Sequence, residues 1–414
     1  MNQPAQATPS PLKVVEFRNL LPIAVTVALG FGMVIPVLPL FARSFGVGIA
    51  LVGLVQLVFG FTRFSFGLVA GLFVDRFGER ASTVTGILVV AVSSYAAGLS
   101  DSFGELVISR GFGGAGSALF IAGLMNRVLQ IIPPEAMGRA TGVFRSSFLV
   151  GIGAGPLFGG ILRDQLGLRA PFHIYATGLL VAAGIAYFVM AGGVVGGVER
   201  KRPLEALRAA RPLFSDVRYV VALLATLVGW WTLSGPAQQI AAIFAEEQLD
   251  FSGTQFGVAV ALLSLGELVV LLSAGKAADR FGRRAVLVPA LAVTAVATAI
   301  LGQVEPAPWA FFPTMVAIGA GVAAGGVAAG GLLADAVPRG GSGTAVGVNQ
   351  MSGDLGYMLA PFAVGAVAES WGFAPAYLFG ALPATLVFFA SLRLPRAAAY
   401  EGRKPVIEPA EPVG

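Results

Sequence analysis

The sequence predicts an all-α integral membrane protein, with twelve transmembrane helices in two pseudo-symmetric six-helix bundles. Three observations carry that prediction. Of 414 residues, 56% are hydrophobic and only 12% charged, and the mean hydropathy of +0.82 lies outside the range of soluble globules. Apolar stretches of about 20 residues recur along the chain, each long enough to cross a bilayer. One polar string also occurs twice. Gly71-Leu72-Phe73-Val74-Asp75-Arg76-Phe77-Gly78-Glu79-Arg80 returns as Gly275-Lys276-Ala277-Ala278-Asp279-Arg280-Phe281-Gly282-Arg283-Arg284. Both read Gly-x-x-x-Asp-Arg-Phe-Gly-x-Arg, and each closes one apolar run and opens the next, at a spacing of about 204 residues that marks internal duplication.

In order, the predicted spans are roughly 19–42, 50–72, 81–100, 105–129, 139–162, 172–194, 218–242, 255–276, 285–303, 308–334, 343–368 and 374–393. The longest polar gap, from Glu199-Arg200-Lys201-Arg202 through Arg218, separates six spans from six. The organisation expected is a tail 1–18, a first half 19–195, a linker 196–217, a second half 218–394 and a tail 395–414. Between spans two and three and spans eight and nine, the glycines of the duplicated string let the chain reverse. Its arginines stay in headgroup water, and its aspartates are placed to cap or pair near helix ends. The repeat reaches further: 142–188 parallels 347–389, so that Gly151 falls on Gly356, Pro156 on Pro361 and Gly160 on Gly365.

Composition excludes several function classes. With no Cys and one His, disulfides, iron–sulfur clusters and zinc sites are excluded, so neither a metal nor a cofactor is expected. The net charge of +5 is not a nucleic-acid signal, because the basic residues are spread over alternating loops. The run Gly113-Gly114-Ala115-Gly116 lacks a preceding strand and a Lys-Ser/Thr, so it is no phosphate loop; no enzyme constellation is found. Met1 to Pro11 carries no basic residue and does not resemble a cleavable signal peptide. With both termini on the cytoplasmic side of a cell inner (plasma) membrane, about 21 of the 27 basic residues face inward and about three (Arg43, Arg163, Arg169) face outward, as topogenic charge bias requires.

Charge inside a span is costly and needs a reason. Five such residues stand out: Arg63, Arg110, Arg145, Glu267 and Asp354. Counting along the helices puts all but Arg110 in the middle third of the bilayer, with Arg110 nearer the outer surface. Arg63 and Glu267 occupy equivalent positions of the repeat. Proton coupling and gating are one reading of these charges. Static ion pairs are the other, with Arg110 snorkelling to water or pairing with Asp101 or Glu105. A carboxylate facing an arginine keeps its charge, and one left alone in apolar surroundings favours its protonated form. The run Gly151 to Gly160 is a helix face without side chains, suited to close approach, and Pro156 removes one backbone bond. Trp230, Trp231, Gln238, Asn349, Gln350 and Tyr357 offer aromatic and amide groups for an amphiphilic ligand, or else are ordinary interhelical contacts. His173 is read as a surface loop histidine.

These strings together resemble the major facilitator superfamily. The Asp-Arg-Phe-Gly loops look like its signature loops, with Phe73 and Glu79 departing from the usual Leu and basic residue. Three strings are similar to the twelve-span drug:proton antiporter branch: Leu29-Gly30 followed by Pro36-Val37-Leu38-Pro39, Leu106-x-x-x-Arg110-x-x-Gly113-Gly114-x-Gly116, and Gly151-x-x-x-Gly155-Pro156-x-x-Gly159-Gly160. Gly113 stands where that branch usually has Gln, and the first span carries no acid. The resemblance implies the major facilitator fold, in which spans two and eleven face each other across the half boundary, as do five and eight. Arg63 would then meet Asp354, and Arg145 would meet Glu267. It also implies a role for Arg110 in proton transfer and for the span-five glycines in sealing a cavity. The function expected is secondary active transport by alternating access: proton-coupled efflux of small lipophilic compounds. The alternatives are a proton-linked symporter importing a small, anionic metabolite and a non-transporting membrane sensor. The partners expected are a small-molecule substrate, protons and the lipid bilayer, with no nucleic acid, and the chain is expected to act as a monomer.

Overall fold

In the computed structural model the described residues are 11–133, 136–190, 211–337 and 342–395. Most of the expected linker and of both tails lies outside them. The chain folds as α1 (Val15–Val34, continued by the short helix Leu38–Arg43), α2 (49–77), α3 (79–99), α4 (Phe103–Ile131), α5 (Met137–Leu166), α6 (Ala170–Val189), α7 (Val217–Glu247), α8 (Gly253–Phe281), α9 (Arg283–Leu301), α10 (Phe311–Ala336), α11 (Ser342–Trp371) and α12 (Phe373–Ser391). All described regular structure is helical. Eleven of these elements are long and apolar enough to span a membrane. The remaining one, α11, is equally long at 30 residues but carries Asn349, Gln350 and Asp354. The ends differ from expectation by a few residues; α1 begins at Val15, inside the expected tail.

Local chemistry sets the ends. Ser252 and Gln255 form a reciprocal capping box that starts α8, satisfying two orphan donors at once. Ser102 accepts from Glu105 N at the start of α4. Gly78 (φ 81°) breaks α2 from α3, and Gly282 (φ 90°) separates α8 from α9, a left-handed backbone that glycine adopts without strain. The duplication is written into the backbone here. Among the described residues the six with positive φ form three pairs offset by about 204 residues: Gly46 with Asp250, Gly78 with Gly282, and Gly167 with Gly372.

Helices α1–α6 pack into one bundle and α7–α12 into another, and the bundles meet where α2 lies on α11 and α5 on α8. These are the pairings expected from the resemblance. Large apolar side chains such as Leu72, Val92, Phe112 and Phe188 are exposed on the outside, where hydrocarbon is their solvent.

The duplicated loops lock each bundle internally. Glu79 is buried and accepts from Asn126 Nδ2 at 3.3 Å and from Gln130 Nε2, tying α3 to α4. At the equivalent place in the second half, Arg283 pairs with Asp335 on α10 at 3.6 Å and with Asp279 at 2.6 Å. An acid held by two neutral amides in the first half thus stands where an arginine held by carboxylates stands in the second, which gives the atypical Glu79 structural partners. Arg80 stacks on the Tyr187 ring, 4.0 Å from its centroid, and Arg284 donates to the Leu394 carbonyl at 2.7 Å. Arg76 and Arg280 each lie over the following phenylalanine. Asp75 is exposed and makes no hydrogen bond or ion pair among the described residues; the cap expected of it is absent in this state. Gly71 is buried in α2 and Gly275 is half-buried with open space where a side chain would lie.

Candidate functional site

The seam between the bundles is closed at one end and open at the other. At the end away from the duplicated loops, hereafter the far end, the backbones touch. A methyl placed on Gly160 of α5 would overlap the Gly253 carbonyl of α8, and one on Gly257 would lie 2.5 Å from the Pro156 carbonyl. The equivalent Gly365 of α11 meets the Ile49 carbonyl of α2, and Gly53 meets Phe362. Going toward the duplicated loops, the next approaches are Gly60 to Met358 and Gly153 to Ser264. Beyond these, Gly67, Gly142 and Gly347 of α2, α5 and α11 have nothing within 4 Å. An opening of about 650 Å3 lies here beside α1 and α5, lined by Val25, Gly142, Ser146 and Val150 among others.

Six polar contacts latch the far end. Asp164, at the end of α5, accepts from Gly253 N (2.8 Å), Thr254 N (2.7 Å) and Thr254 Oγ1 (2.7 Å) at the start of α8. Glu369 of α11 accepts from Ala50 N (2.9 Å) at the start of α2. These two carboxylates are equivalents in the repeat, and so are the helix starts they cap, where free N–H groups and the helix dipole favour an anion. Arg43 pairs with Glu247 at 2.8 Å, and Arg163 with Glu246 at 2.8 Å. Arg43 and Glu247 are themselves 204 residues apart: one repeat position, carrying opposite charges, paired across the seam. None of these latch contacts was expected from sequence, although the offset rule that linked Arg63 to Glu267 also links Arg43 to Glu247.

The span-five glycines serve two faces. Gly151, Gly155 and Gly159 abut α1: a methyl on Gly155 would lie 2.5 Å from the Leu29 carbonyl and 2.6 Å from Gly32 Cα. Pro156 and Gly160 instead face α8 across the seam. The run thus combines packing within a bundle and closure between bundles.

The intramembrane charges lie where the seam parts. The expected ion pair of Arg63 with Asp354 does not appear among the described residues, and the expected pair of Arg145 with Glu267 falls on a side chain outside them. Arg63 is one turn beyond the Gly60–Met358 contact, and Asp354 one turn beyond Met358, on the loop side of that approach. Glu267 likewise follows Ser264 by one turn, and makes no hydrogen bond or ion pair among the described residues. Asp354 accepts from Gln350 Nε2 at 3.1 Å. The Arg145 side chain lies outside what is described. Arg63 and Asp354 both lie within electrostatic reach of Tyr357, near which Gln56 also lies.

Arg110 departs most from expectation. It neither snorkels nor pairs with Asp101 or Glu105: Asp101 pairs with Arg169, and the Glu105 carboxylate accepts from Asp101 N at 2.9 Å. Arg110 is only 1% exposed, over the Phe59 ring (4.9 Å to the centroid), and its Nε and Nη1 have no partner among the described residues. Burying a cation without a counterion costs on the order of several kcal/mol. Arg110 lines a recess of about 20 Å3 between the bundles, about the room one water needs. Phe31, Val34, Ile35 and Leu38 of the first span form its apolar wall, and Gln56, Ser234, Gln238, Gln239 and Tyr357 its polar one. Ser234, Gln238 and Gln239 sit in a widened, π-helical stretch of α7, Leu233–Ile240, around Pro236. Proline removes one helical bond, and such bulges recur at functional sites.

The other expected cavity residues divide. Trp230 packs edge-on to Tyr357 at 5.9 Å. Trp231 is nearly buried and donates to the Gly380 carbonyl at 3.1 Å, and Asn349 accepts from Thr226 Oγ1 at 2.8 Å. Both contacts stay inside the second bundle. Gln350 is exposed beside Asp354.

Two interlocked bundles of six helices, related by an internal repeat and meeting at a seam closed at one end, are an architecture that secondary membrane transporters share. Comparison gives the family. The model of the Major Facilitator Superfamily matches residues 20–244 and 219–412, and the chain belongs to that superfamily. It is similar to Multidrug resistance protein MdtG of Salmonella typhimurium, 26% identical over 83% of this chain and 86% of that protein. It is also similar to Multidrug resistance protein 1 of Bacillus subtilis, 26% identical over 62% of this chain; there it spans 64% of the relative's length. Its fold matches the crystal structure of the nucleoside transporter NupG with a TM-score of 0.75 at 13% identity, covering 91% of this chain and 98% of the other. The chain is therefore a multi-pass member of a transporter superfamily, not an enzyme.

Proposed function

We propose that this transporter exports small lipophilic compounds across the plasma membrane in exchange for protons, acting as a monomer with both termini and the duplicated loops in the cytoplasm. One observation carries the reading: the far end is latched while the charged mid-span residues sit where the seam parts. The state described is thus the cytoplasm-facing one, ready to load. The bias of Lys and Arg toward the loop end supports that orientation. The glycine run of α5 and the multidrug resistance relatives support export.

In this cycle Glu267 and Asp354 release or take up protons as their surroundings change. When the bundles rock closed on that side, Arg63 approaches Asp354 and Arg145 approaches Glu267, and the carboxylates hold their charge against arginine. Arg110 binds within the seam. The halves 19–195 and 218–394 move as units, joined by the linker 196–217.

The test is flux in proteoliposomes under an imposed pH gradient, screening acidic, neutral and basic lipophilic probes and recording proton movement. Probe leaving the loop-end compartment as protons enter it supports the proposal. Flux of any probe together with protons in one direction, or no flux of any probe, overturns it.

A further inference from the structure

Three facts about the recess under the far-end latch do not follow from a transporter of neutral or cationic drugs. Its one charged group is the Arg110 guanidinium, buried over the Phe59 ring, with Nε and Nη1 lacking a hydrogen-bond partner among the described residues. Two more buried polar atoms without partners belong to its lining, Ser234 Oγ and Gln239 Nε2. No carboxylate lines it among the described residues. Guanidinium and amide N–H groups only donate, and a hydroxyl can donate, so the recess holds donors in search of an acceptor. Arginine does not release its proton in the physiological range. Its chemistry here is to hold an anion.

We infer that the recess binds the carboxylate head group of a lipophilic weak acid, paired with Arg110 and completed by Ser234 and Gln239 of α7. The inference rests on the export reading and names its substrate class. One carboxylate, its two oxygens taking the place of water against the guanidinium, matches the fork of an arginine. The opposite wall of Phe31, Val34, Ile35 and Leu38 is apolar and suits a hydrocarbon or aryl body. Arg110 belongs to the first bundle, and Ser234 and Gln239 to the second. The ligand would therefore bridge the seam and report to both halves. Driving forces agree: an anion leaving and a proton entering both move down an inside-negative potential.

The test is titration calorimetry on the purified full-length protein with a matched series: 1-naphthylacetate, 1-naphthylacetamide, 1-naphthylmethylamine, acetate and chloride. The carboxylate is expected to bind at least about tenfold more tightly than the amide or the amine, as a desolvated ion pair allows. Arg110→Gln should abolish that preference and Arg110→Lys should retain part of it. Should Arg110→Gln fail to fold, Ser234→Ala and Gln239→Leu carry the test, each expected to weaken the carboxylate several-fold and leave the amide within about twofold. Equal affinity across the three naphthyl probes overturns the inference, as does a folded Arg110→Gln that keeps the preference. Acetate or chloride binding as tightly as 1-naphthylacetate also overturns it, because the site would then be one for simple anions. The flux screen separates the two readings: proton-exchanged export of neutral or basic probes alone would leave the export reading standing and this inference fallen.

Discussion

Removing the Asp164 carboxylate should unlatch the far end. Asp164 receives three hydrogen bonds from the start of α8, two of them from backbone N–H groups that have no other partner in the helix. The site is exposed, so each bond is taken at about 0.5 kcal/mol, the low end for protein hydrogen bonds. The anion–dipole contribution adds about 0.5 kcal/mol. Asp164→Ala should therefore shift the closed-to-open equilibrium by about 2 kcal/mol, roughly thirty-fold. Glu369 accepts one such bond, and Glu369→Ala should shift it by about 1 kcal/mol, roughly five-fold. The chain has no Cys, so spin labels can be placed cleanly at Gln165→Cys and Gln248→Cys, exposed far-end positions in opposite bundles. Pulsed dipolar spectroscopy should show a longer-distance population that grows from the parent to Glu369→Ala to Asp164→Ala. Unchanged distance distributions in both variants, with folding intact, would refute the idea that the carboxylates hold the far end shut.

Other predictions follow from particular contacts. Gly160→Ala puts a methyl into the Gly253 carbonyl and should cut transport more than tenfold by blocking far-end closure, whereas Gly184→Ala, on α6 away from the seam and with nothing within 4 Å, should transport normally; flux assays on the two check this. Glu267→Gln combined with Asp354→Asn should abolish pH-driven flux yet keep substrate counterflow, and survival of pH-driven flux in the double variant would remove both from coupling. Glu79→Ala strips Asn126 and Gln130 of their buried acceptor and should lower stability by about 1–3 kcal/mol, visible as a lower melting temperature in a thermal-shift assay.

Much of the architecture was legible in the sequence because duplication and hydropathy are one-dimensional signals. The offset that aligned Gly71–Arg80 with Gly275–Arg284 also pairs the positive-φ turns at Gly78 and Gly282, and at Gly167 and Gly372. It placed α2 on α11 and α5 on α8 through the family resemblance. The site was less legible. Whether Arg63 meets Asp354 depends on which end of the seam is shut, and a sequence carries no conformational state. Arg110 was placed near water by counting residues from a helix end. Its burial comes instead from Phe59 and from α7 and α11 of the other bundle, neighbours that periodicity cannot supply. The Arg43–Glu247 pair was within reach, since its repeat offset and opposite charges are visible in the chain. Asp164 was not, because a carboxylate near a loop looks the same whether it caps a helix across a seam or faces solvent.

The most direct test of alternation measures both ends of the seam at once. Leu157→Cys reports on the far end, where Leu157 backs onto Gly257, and Gly142→Cys on the open loop end. Labelling of the reconstituted protein by a membrane-impermeant maleimide should be fast at Gly142→Cys and slow at Leu157→Cys at rest. Substrate and an imposed pH gradient should slow the first and speed the second together. Two sites that gain or lose reactivity in parallel, or that ignore substrate and protons, would contradict the account.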